Sequence, residues 1–546
     1  MYIRITRNAR GDAYYHLVES YREDGKVKQR TLLSLGKVGE DKLEQLARAL
    51  EKYIDSIYAI NLSSHIDVKD TYIVGPLLVL EKMMEDTGIC GLLEQINNKH
   101  TRLRFNLRKV IFSQLASRFI KPVSKLGLYD RWLERLYPEM VDHNIELQHI
   151  YRSLDILAMH KDQIESSLFS YKKNLFNLEI DVVLYDLTTL RFESTRTDLG
   201  KLRKFGYSKE MRSDCTQVVF GLLTDLDGIP LGFEVYPGNT FEGKTLEDIV
   251  NKIRKKFTVR RFIFVADRGL FSSPNLNYIK KDKGEFIVGF KMGKQSSEVQ
   301  TNLYDLSKYK YLNEKLAVYE TQMGDDRCVV TWSQARSERD KKTREDILDK
   351  IRNKLTGKAT KSKSFITNTN YKKYLVVGDS GVSLNQEAIL KESAKDGFFG
   401  IITNVKNISS EEIVIYYKQL WKIEDAFGEI KGNLKTRPVF HWTDHRIVGH
   451  LTLCFLCYLC EAHLTKALRE HQKILESKAI SKNIIDPRDL TVTMAMEELS
   501  RVMAIPVKIK SQTIWARTDI PKNALKLIQA IKMKIPPKIL KTTKQM

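Results

Sequence analysis

Apolar and polar positions change rhythm several times along this chain of 546 residues. "YIRITRNARGDAYYHLVESY" alternates as strands do, with a turn at "EDGK" near Asp24 to Lys26; "GEDKLEQLARALEKYI" then takes up the three-and-four spacing of a helix. Helical spacing returns in "GPLLVLEKMMEDTGICGLLEQI" and "LRKVIFSQLASRFIKP" and runs to about Lys173. Residues 1–173 are therefore expected to form an N-terminal β element and a helical region.

Beyond Lys173 the texture turns to strands. "EIDVVLYDLTTLRFES" is a β-rich run, and "QVVFGLLTDLDGIPLGFEVYPGN" is a hairpin punctuated by Gly228 and Pro230. A helix, "EGKTLEDIVNKIRKKF", and two strands, "RRFIFVAD" and "GEFIVGFK", complete a mixed α/β core over 174–295. Between 296 and 395, the short strands "KLAVYETQ", "CVVTWSQA" and "KYLVV" surround a charged helix and predict an inserted, mainly β subdomain. The core resumes over 396–465 with "GFFGIITN", a long amphipathic helix and the apolar helix "RIVGHLTLCFLCYLCEAHL"; 466–546 is expected as a basic helical region.

The amphipathic stretch "YYKQLWKIEDAFGEIKGNLKTRP", Tyr416 to Pro438, reads as one helix ending near Gly432. Steps of about 100° gather Tyr416, Leu420, Ile423, Phe427, Ile430 and Leu434 on one apolar arc. Tyr417, Leu420, Glu424 and Lys431 fall within about 60° of one another, which sets Glu424 at the edge of the buried face. Asp425 projects off that edge, and Glu429 is expected on the opposite, solvated side. Taken alone, Glu424 also reads as an exposed acid paired with Lys431 or Lys435.

Charge adds a partner to this outline. Ninety Lys and Arg against 68 acids leave a formal net charge of +22. That balance favours a polyanion, and nucleic acid is the commonest, although solubility or a weak pull toward anionic membranes would also account for it. Residues 501–546 hold eleven Lys or Arg against Asp519 alone. The longest apolar run, Leu451 to Cys460, is about half of a bilayer span and reads as a core helix, so no membrane partner is expected. The charged, alternating start does not resemble a signal peptide, and six cysteines in a chain of this length do not suggest a disulfide framework, so a reducing cytoplasm is expected. Cys454, Cys457 and Cys460 would need a fourth zinc ligand from His450 or His441; their spacing of three among Leu, Phe and Tyr reads instead as a buried helix stripe.

Two acids end apolar strands. Asp186 follows "VVLY" and Asp267 follows "FIFVA". Each alone is an ordinary turn or cap residue. With Glu424 they form a set of hard oxygen ligands suited to Mg²⁺, and a pair of such ions about 3.5–4 Å apart can activate a water or a 3′-hydroxyl against a phosphodiester.

At these residues the chain resembles a family. "YDLTTLRFES", "VYPGNTFEGKTL", "VADRGLFS", "DGFFGIITN", "YYKQLWKIEDAFGEIKGNLKTRPVFHW" and "HRIVGH" are similar to the DDE transposases of bacterial insertion sequences, in the superfamily with a Y-x2-R-x3-E-x6-K signature and its IS-sixteen-thirty-four-like branch. The resemblance implies an RNase H-like mixed-sheet catalytic core interrupted by a mainly β insertion. It implies Asp186, Asp267 and Glu424 as catalytic metal ligands for two Mg²⁺ ions, with Mn²⁺ able to substitute. Tyr417 and Lys431 match the signature positions that lie at the DNA end near the cleaved phosphate. The implied partners are double-stranded DNA, as terminal inverted repeats and as target, and a second copy of the chain in a synaptic complex on the bacterial nucleoid. Leu420 stands where the signature has a basic residue, which counts against a direct phosphate contact from that position and against the hairpin-forming route of some relatives, with Lys418 or Lys422 as candidate substitutes. The other readings are a catalytically silent end-binding repressor, against which the three intact carboxylates count, and an RNase H-like nuclease without strand transfer.

Overall fold

The computed structural model describes residues 2–23, 25–37, 70–176, 182–208, 212–241, 245–257, 262–270, 273–281, 284–355, 369–378, 381–478, 491–509 and 512–544. The helix expected at "GEDKLEQLARALEKYI" lies outside them. The chain divides into two compact units: Met1–Thr71 with Ala504–Thr518 and Pro536–Met546, and Tyr72–Met503 with Asp519–Ile535.

In the first unit β1 (Tyr2–Arg7), β2 (Ala13–Glu23) and β3 (Lys26–Gly36) form an antiparallel sheet in sequence order. The larger unit begins with the two-residue strand β4 (Tyr72–Ile73), followed by helices Gly75–Asp86, Ile89–Lys99, Leu107–Ile120, Leu147–Met159 and Lys161–Phe176.

A nine-stranded sheet forms the centre of this unit. Its strands are β5 (Val182–Arg191), β6 (Gln217–Thr224), β7 (Pro230–Pro237), β8 (Ile263–Ala266), β9 (Glu285–Phe290), β10 (Lys310–Asn313), β11 (Leu316–Met323), β12 (Asp326–Ser333) and, beyond the small hairpin β13 (Leu375–Gly378) and β14 (Gly381–Leu384), β15 (Phe398–Thr403). The order across the sheet is β10-β11-β12-β15-β9-β8-β5-β6-β7. β5, β8 and β9 run parallel, and every other neighbour is antiparallel. Within the segment expected as an insertion, β10–β12 therefore extend the main sheet through β15. The charged helix Gln334–Leu355 and the β13–β14 hairpin share a separate small core around Leu348, Ile351 and Tyr374.

Alternation along the central strands gives the sheet two buried faces. Val183, Tyr185, Leu187, Phe264, Ala266, Phe286 and Val288 join one large apolar cluster. Helices Ser410–Lys418 and Trp421–Lys431 pack over β9, β8 and β5, and the 35-residue helix Asp444–Lys478 packs over β7, where Phe455 meets Phe233 at 5.4 Å between ring centroids. This long helix is apolar enough across Asp444–Gln472 to span a bilayer by composition, yet 89% of its most apolar window is buried within the protein. It is a core helix. Gly449 lets it approach Leu147–Met159, since a Cβ there would lie 2.0 Å from the Leu154 carbonyl oxygen. Cys454, Cys457 and Cys460 are buried on it as free thiols, and burial pushes Cys457 and Cys460 up, which keeps them protonated.

The C-terminal region departs from the expected helical one. β16 (Met503–Ile509), β17 (Gln512–Arg517) and β18 (Ile539–Lys544) form antiparallel ladders, and only Val492–Leu499 and Lys522–Ala530 are helical there among the described residues after 490. Ile505, Val507 and Ile509 alternate in "MAIPVKI", and Thr513, Ile514 and Trp515 in "QTIWAR" are β-branched or aromatic, which favours strand pairing.

Candidate active site

The two strand aspartates are brought side by side by register. β5 and β8 are parallel, with Val182 opposite Ile263, Val183 opposite Phe264 and Leu184 opposite Val265. Two residues further along the same register, Asp186 faces Asp267, just past the end of β8. Adjacent strands lie about 4.8 Å apart, so both carboxylates leave one face of the sheet as neighbours. The row continues into β9. Ala266 pairs with Val288, which sets Gly289 next to Asp267.

That glycine makes room for a third side chain. A Cβ on Gly289 would lie 2.7 Å from the Tyr417 hydroxyl and 3.1 Å from the Arg268 Cβ. The hydroxyl occupies the gap and donates to Asp267 Oδ1 at 3.1 Å, while the ring packs on Phe399 at 5.0 Å between centroids. Burial, and then the charge of Asp267, push the phenol far up, against the opposing pull of Arg268 and Arg336, so the hydroxyl stays a donor. Sequence reasoning did not single out Gly289, Arg268, Arg336 or Phe399. A small residue inside the bulky strand "EFIVGF" was the available signal.

The stretch expected as one helix is two. Ser410–Lys418 starts with a capping box between Ser409 and Glu412, and Trp421–Lys431 follows. Between them Gln419 and Leu420 are held by bonds from Gln419 N to the Tyr416 carbonyl at 3.0 Å and from Leu420 N to the Tyr417 carbonyl at 3.1 Å. These three-residue closures tighten the turn, so Tyr417 and Glu424 no longer share one continuous helical face. Leu420 is buried at the break. Lys422 bonds to the Leu226 carbonyl in the β6–β7 turn, which ties up one of the two lysines nominated to replace the missing base; Lys418 is exposed.

Glu424 lies in the first turn of Trp421–Lys431, whose Ile423, Ala426, Phe427 and Ile430 are buried and which packs over β5. Phe427 meets Phe220 of β6 at 6.4 Å. Glu424 is exposed at the margin of that contact, and Lys431 closes the same helix, half-buried. Glu429 corrects the expectation of a solvated face. It is half-buried against the core helix, hydrogen-bonded to Glu461 and to Asn433. Burial first, and then the neighbouring Glu429, push Glu461 up to about 8.

The donor set Asp186, Asp267 and Glu424 is all hard oxygen, which fits a divalent cation of the Mg²⁺ class. The three stand wider than a single tight shell. Among the described residues, the one group of three ligand side chains with donor atoms all within 4.8 Å is Asp162, Glu165 and Glu234. That cluster is already paired with lysines, Lys252 on Glu234 at 2.9 Å among them. Lys256 reaches Asp162, Glu165 and Glu234 at 2.6–2.7 Å, and Lys161 reaches Glu165 and Glu234 at 3.0 and 3.1 Å. Glu165 and Glu234 are buried and Asp162 is exposed, and with the lysines they form an ionic network between helix and sheet.

Residues 177–460 match the model of the transposase DDE domain, and residues 3–59 match that of the IS1634 family transposase N-terminal domain. A search of curated proteins found no match. Among solved structures, a Mos1 transposase paired-end complex with left transposon end aligns at 15% identity and a TM-score of 0.14, over 37% of this chain and 58% of that one. The alignment thus spans little more than half of that chain.

Proposed function

This chain belongs to the DDE transposase family, whose chemistry is DNA cleavage and strand transfer in the presence of divalent metal, and on that premise we propose that it cuts the ends of its own insertion sequence and joins them to target DNA. Asp186, Asp267 and Glu424 hold the metal, Mg²⁺ with Mn²⁺ as substitute. The observation that carries this reading is the row Asp186, Asp267, Gly289 across three parallel strands, with the Tyr417 hydroxyl on Asp267 and the Glu424 helix laid over β5.

The part of the sheet that bears the row supports an RNase H-like core. Three antiparallel strands, β7-β6-β5, are followed by parallel β8 and β9, and both aspartates leave from the junction between the two halves. When bound, divalent metal supplies activation of a water or 3′-hydroxyl and stabilises the leaving oxygen. The protein's own residues do the rest. Tyr417 fixes one oxygen of Asp267 and leaves the other for a ligand. Arg268 and Arg336 surround that tyrosine with positive charge where a DNA strand would enter. Lys431, about 10 Å along the helix from Glu424, positions a backbone phosphate next to the cleaved one. The net charge of +22 draws in double-stranded DNA, with end recognition assigned to residues 1–173 and help from the basic C-terminal region. A homodimer in the cytoplasm, synapsing two ends on the nucleoid, completes the proposal.

The test is a labelled element end incubated with the full chain and Mg²⁺, scored for cleavage and for joining. Asp186→Asn, Asp267→Asn and Glu424→Gln should each abolish both products while leaving end binding and folding intact. Cleavage without joining would leave a nuclease; full activity in any one of the three variants would overturn the ligand assignment.

A further inference from the structure

We propose that a cavity of about 240 Å³ beneath the loop after the glutamate helix binds a phosphate group of the bound DNA, outside the carboxylate site. This rests on the transposase reading for the source of the phosphate, though not for the chemistry of the pocket.

Six nitrogen-bearing side chains line the cavity: Arg118, Lys125, Lys435, Arg437, His441 and His450; among the described lining residues there is no carboxylate. Arg118, Lys125, His441 and His450 are each more than nine-tenths buried. Arg118 Nη1 donates to the Leu434 and Lys435 carbonyls at 2.6 and 3.2 Å, which anchors the loop as the wall of the cavity. Its Nε, the His450 Nδ1 and the Thr436 Oγ1 are buried without partners. Burying cations together without a counter-charge costs several kcal/mol per ion. Burial, then the charges of Lys125 and Arg118, push His441 down to about 3, and burial with Arg118 pushes Lys125 down. An anion in the cavity offsets the repulsion among these side chains.

The backbone points the same way. Lys435 has φ +43, in the left-handed region that residues other than glycine rarely occupy, and such conformations concentrate at ligand clamps. A guanidinium beside lysine side chains suits phosphate oxygens. The volume lies below the roughly 300 Å³ at the lower end of drug-sized sites, so it suits a phosphate with part of its sugar. The Val439 N–H donates to the carbonyl of Arg191, the last residue of β5, five residues from Asp186, or about 16 Å along the strand. At about 3.4 Å per nucleotide, a DNA strand cleaved at the carboxylates carries a phosphate into that neighbourhood about five nucleotides away.

The test uses the full chain with Lys125→Met, which replaces a buried ammonium by an apolar side chain of similar length, and Lys435→Ala at the exposed rim. One arm titrates inorganic phosphate by calorimetry; the other measures affinity for a short duplex against salt concentration. Asp186→Asn accompanies them, with cleavage also measured. Expected is at least a tenfold loss of phosphate affinity in both lysine variants, with weaker duplex binding and a salt slope lower by about one in Lys435→Ala. Asp186→Asn keeps both affinities. Loss of phosphate binding with unchanged duplex binding would overturn the DNA source in favour of a free anion, and wild-type affinities in folded variants would overturn the pocket. If Asp186→Asn still cleaves DNA, the carboxylate assignment fails while the pocket stands.

Discussion

Replacing Tyr417 by phenylalanine removes one oxygen from the active site and leaves its packing in place. The ring's contact with Phe399 survives, so the fold should not change; what is lost is the 3.1 Å bond to Asp267. Hydrogen bonds to a charged group contribute about 1.5–3 kcal/mol, and about 1.4 kcal/mol is tenfold in a rate or an equilibrium. Outer partners of metal ligands act on the same scale, about 10–100-fold in metal affinity or activity. Tyr417→Phe should therefore slow single-turnover cleavage of a labelled end by about ten- to a hundredfold, with a higher Mg²⁺ requirement. End affinity and Tm should stay at wild-type values. Because burial and Asp267 hold the phenol far above its ordinary value, the ratio of variant to wild-type rate should not vary with pH across the neutral range. Equal rates and equal metal dependence would show that the hydroxyl only fills the space at Gly289. A loss of end affinity as large as the loss of rate would show instead that Tyr417 binds DNA directly.

Lys431→Ala should lower the cleavage rate more than end affinity at matched salt, since many basic residues share the binding; equal small losses in both would make it an ordinary helix lysine. Glu461 has a folded value of about 8 against the ordinary 4.5, so its ionisation opposes folding: its contribution is fully present below 4.5 and is lost as pH rises through about 8. Glu461→Gln should thus stabilise the protein increasingly between those limits in chemical denaturation, and a gain independent of pH would refute the assignment. Glu234 has the opposite sign. Despite burial, which raises it, Lys161 and Lys256 hold it down at about 2, so its contribution is present above 4.5 and is lost as pH falls through about 2. The interval corresponds to about 3 kcal/mol as an order of magnitude; Glu234→Gln should flatten the acid limb of the stability curve, and an unchanged limb would place the acid sensitivity elsewhere.

Local pattern was enough to find the strands that carry Asp186 and lead to Asp267, the β6–β7 hairpin and the apolar face beneath Glu424, because alternation, turn residues and helical spacing are properties of neighbouring residues; it misplaced the end of β5, which runs on through Asp186 to Arg191 where pairing with β6 continues. It was not enough to break the helix at Gln419 and Leu420, where no glycine or proline marks the turn and the packing of Tyr417 against Phe399 and Asp267 accompanies it. Nor could it turn Glu429 inward, since the solvated side of one helix is decided by what packs against it, here Glu461 from the following helix Asp444–Lys478. In the C-terminal region the strands Met503–Ile509 and Gln512–Arg517 are short and separated by a brief turn, and their pairing with each other and with Ile539–Lys544 is what makes them strands. Candidate carboxylates could be named from their surroundings in the sequence. Their alignment with Gly289 depends on a parallel register between β5, β8 and β9, and the basic cavity collects Arg118 and Lys125 with residues from 435 to 450. Both are contacts between distant segments, and such contacts exist only once the sheet and its covering helices have closed.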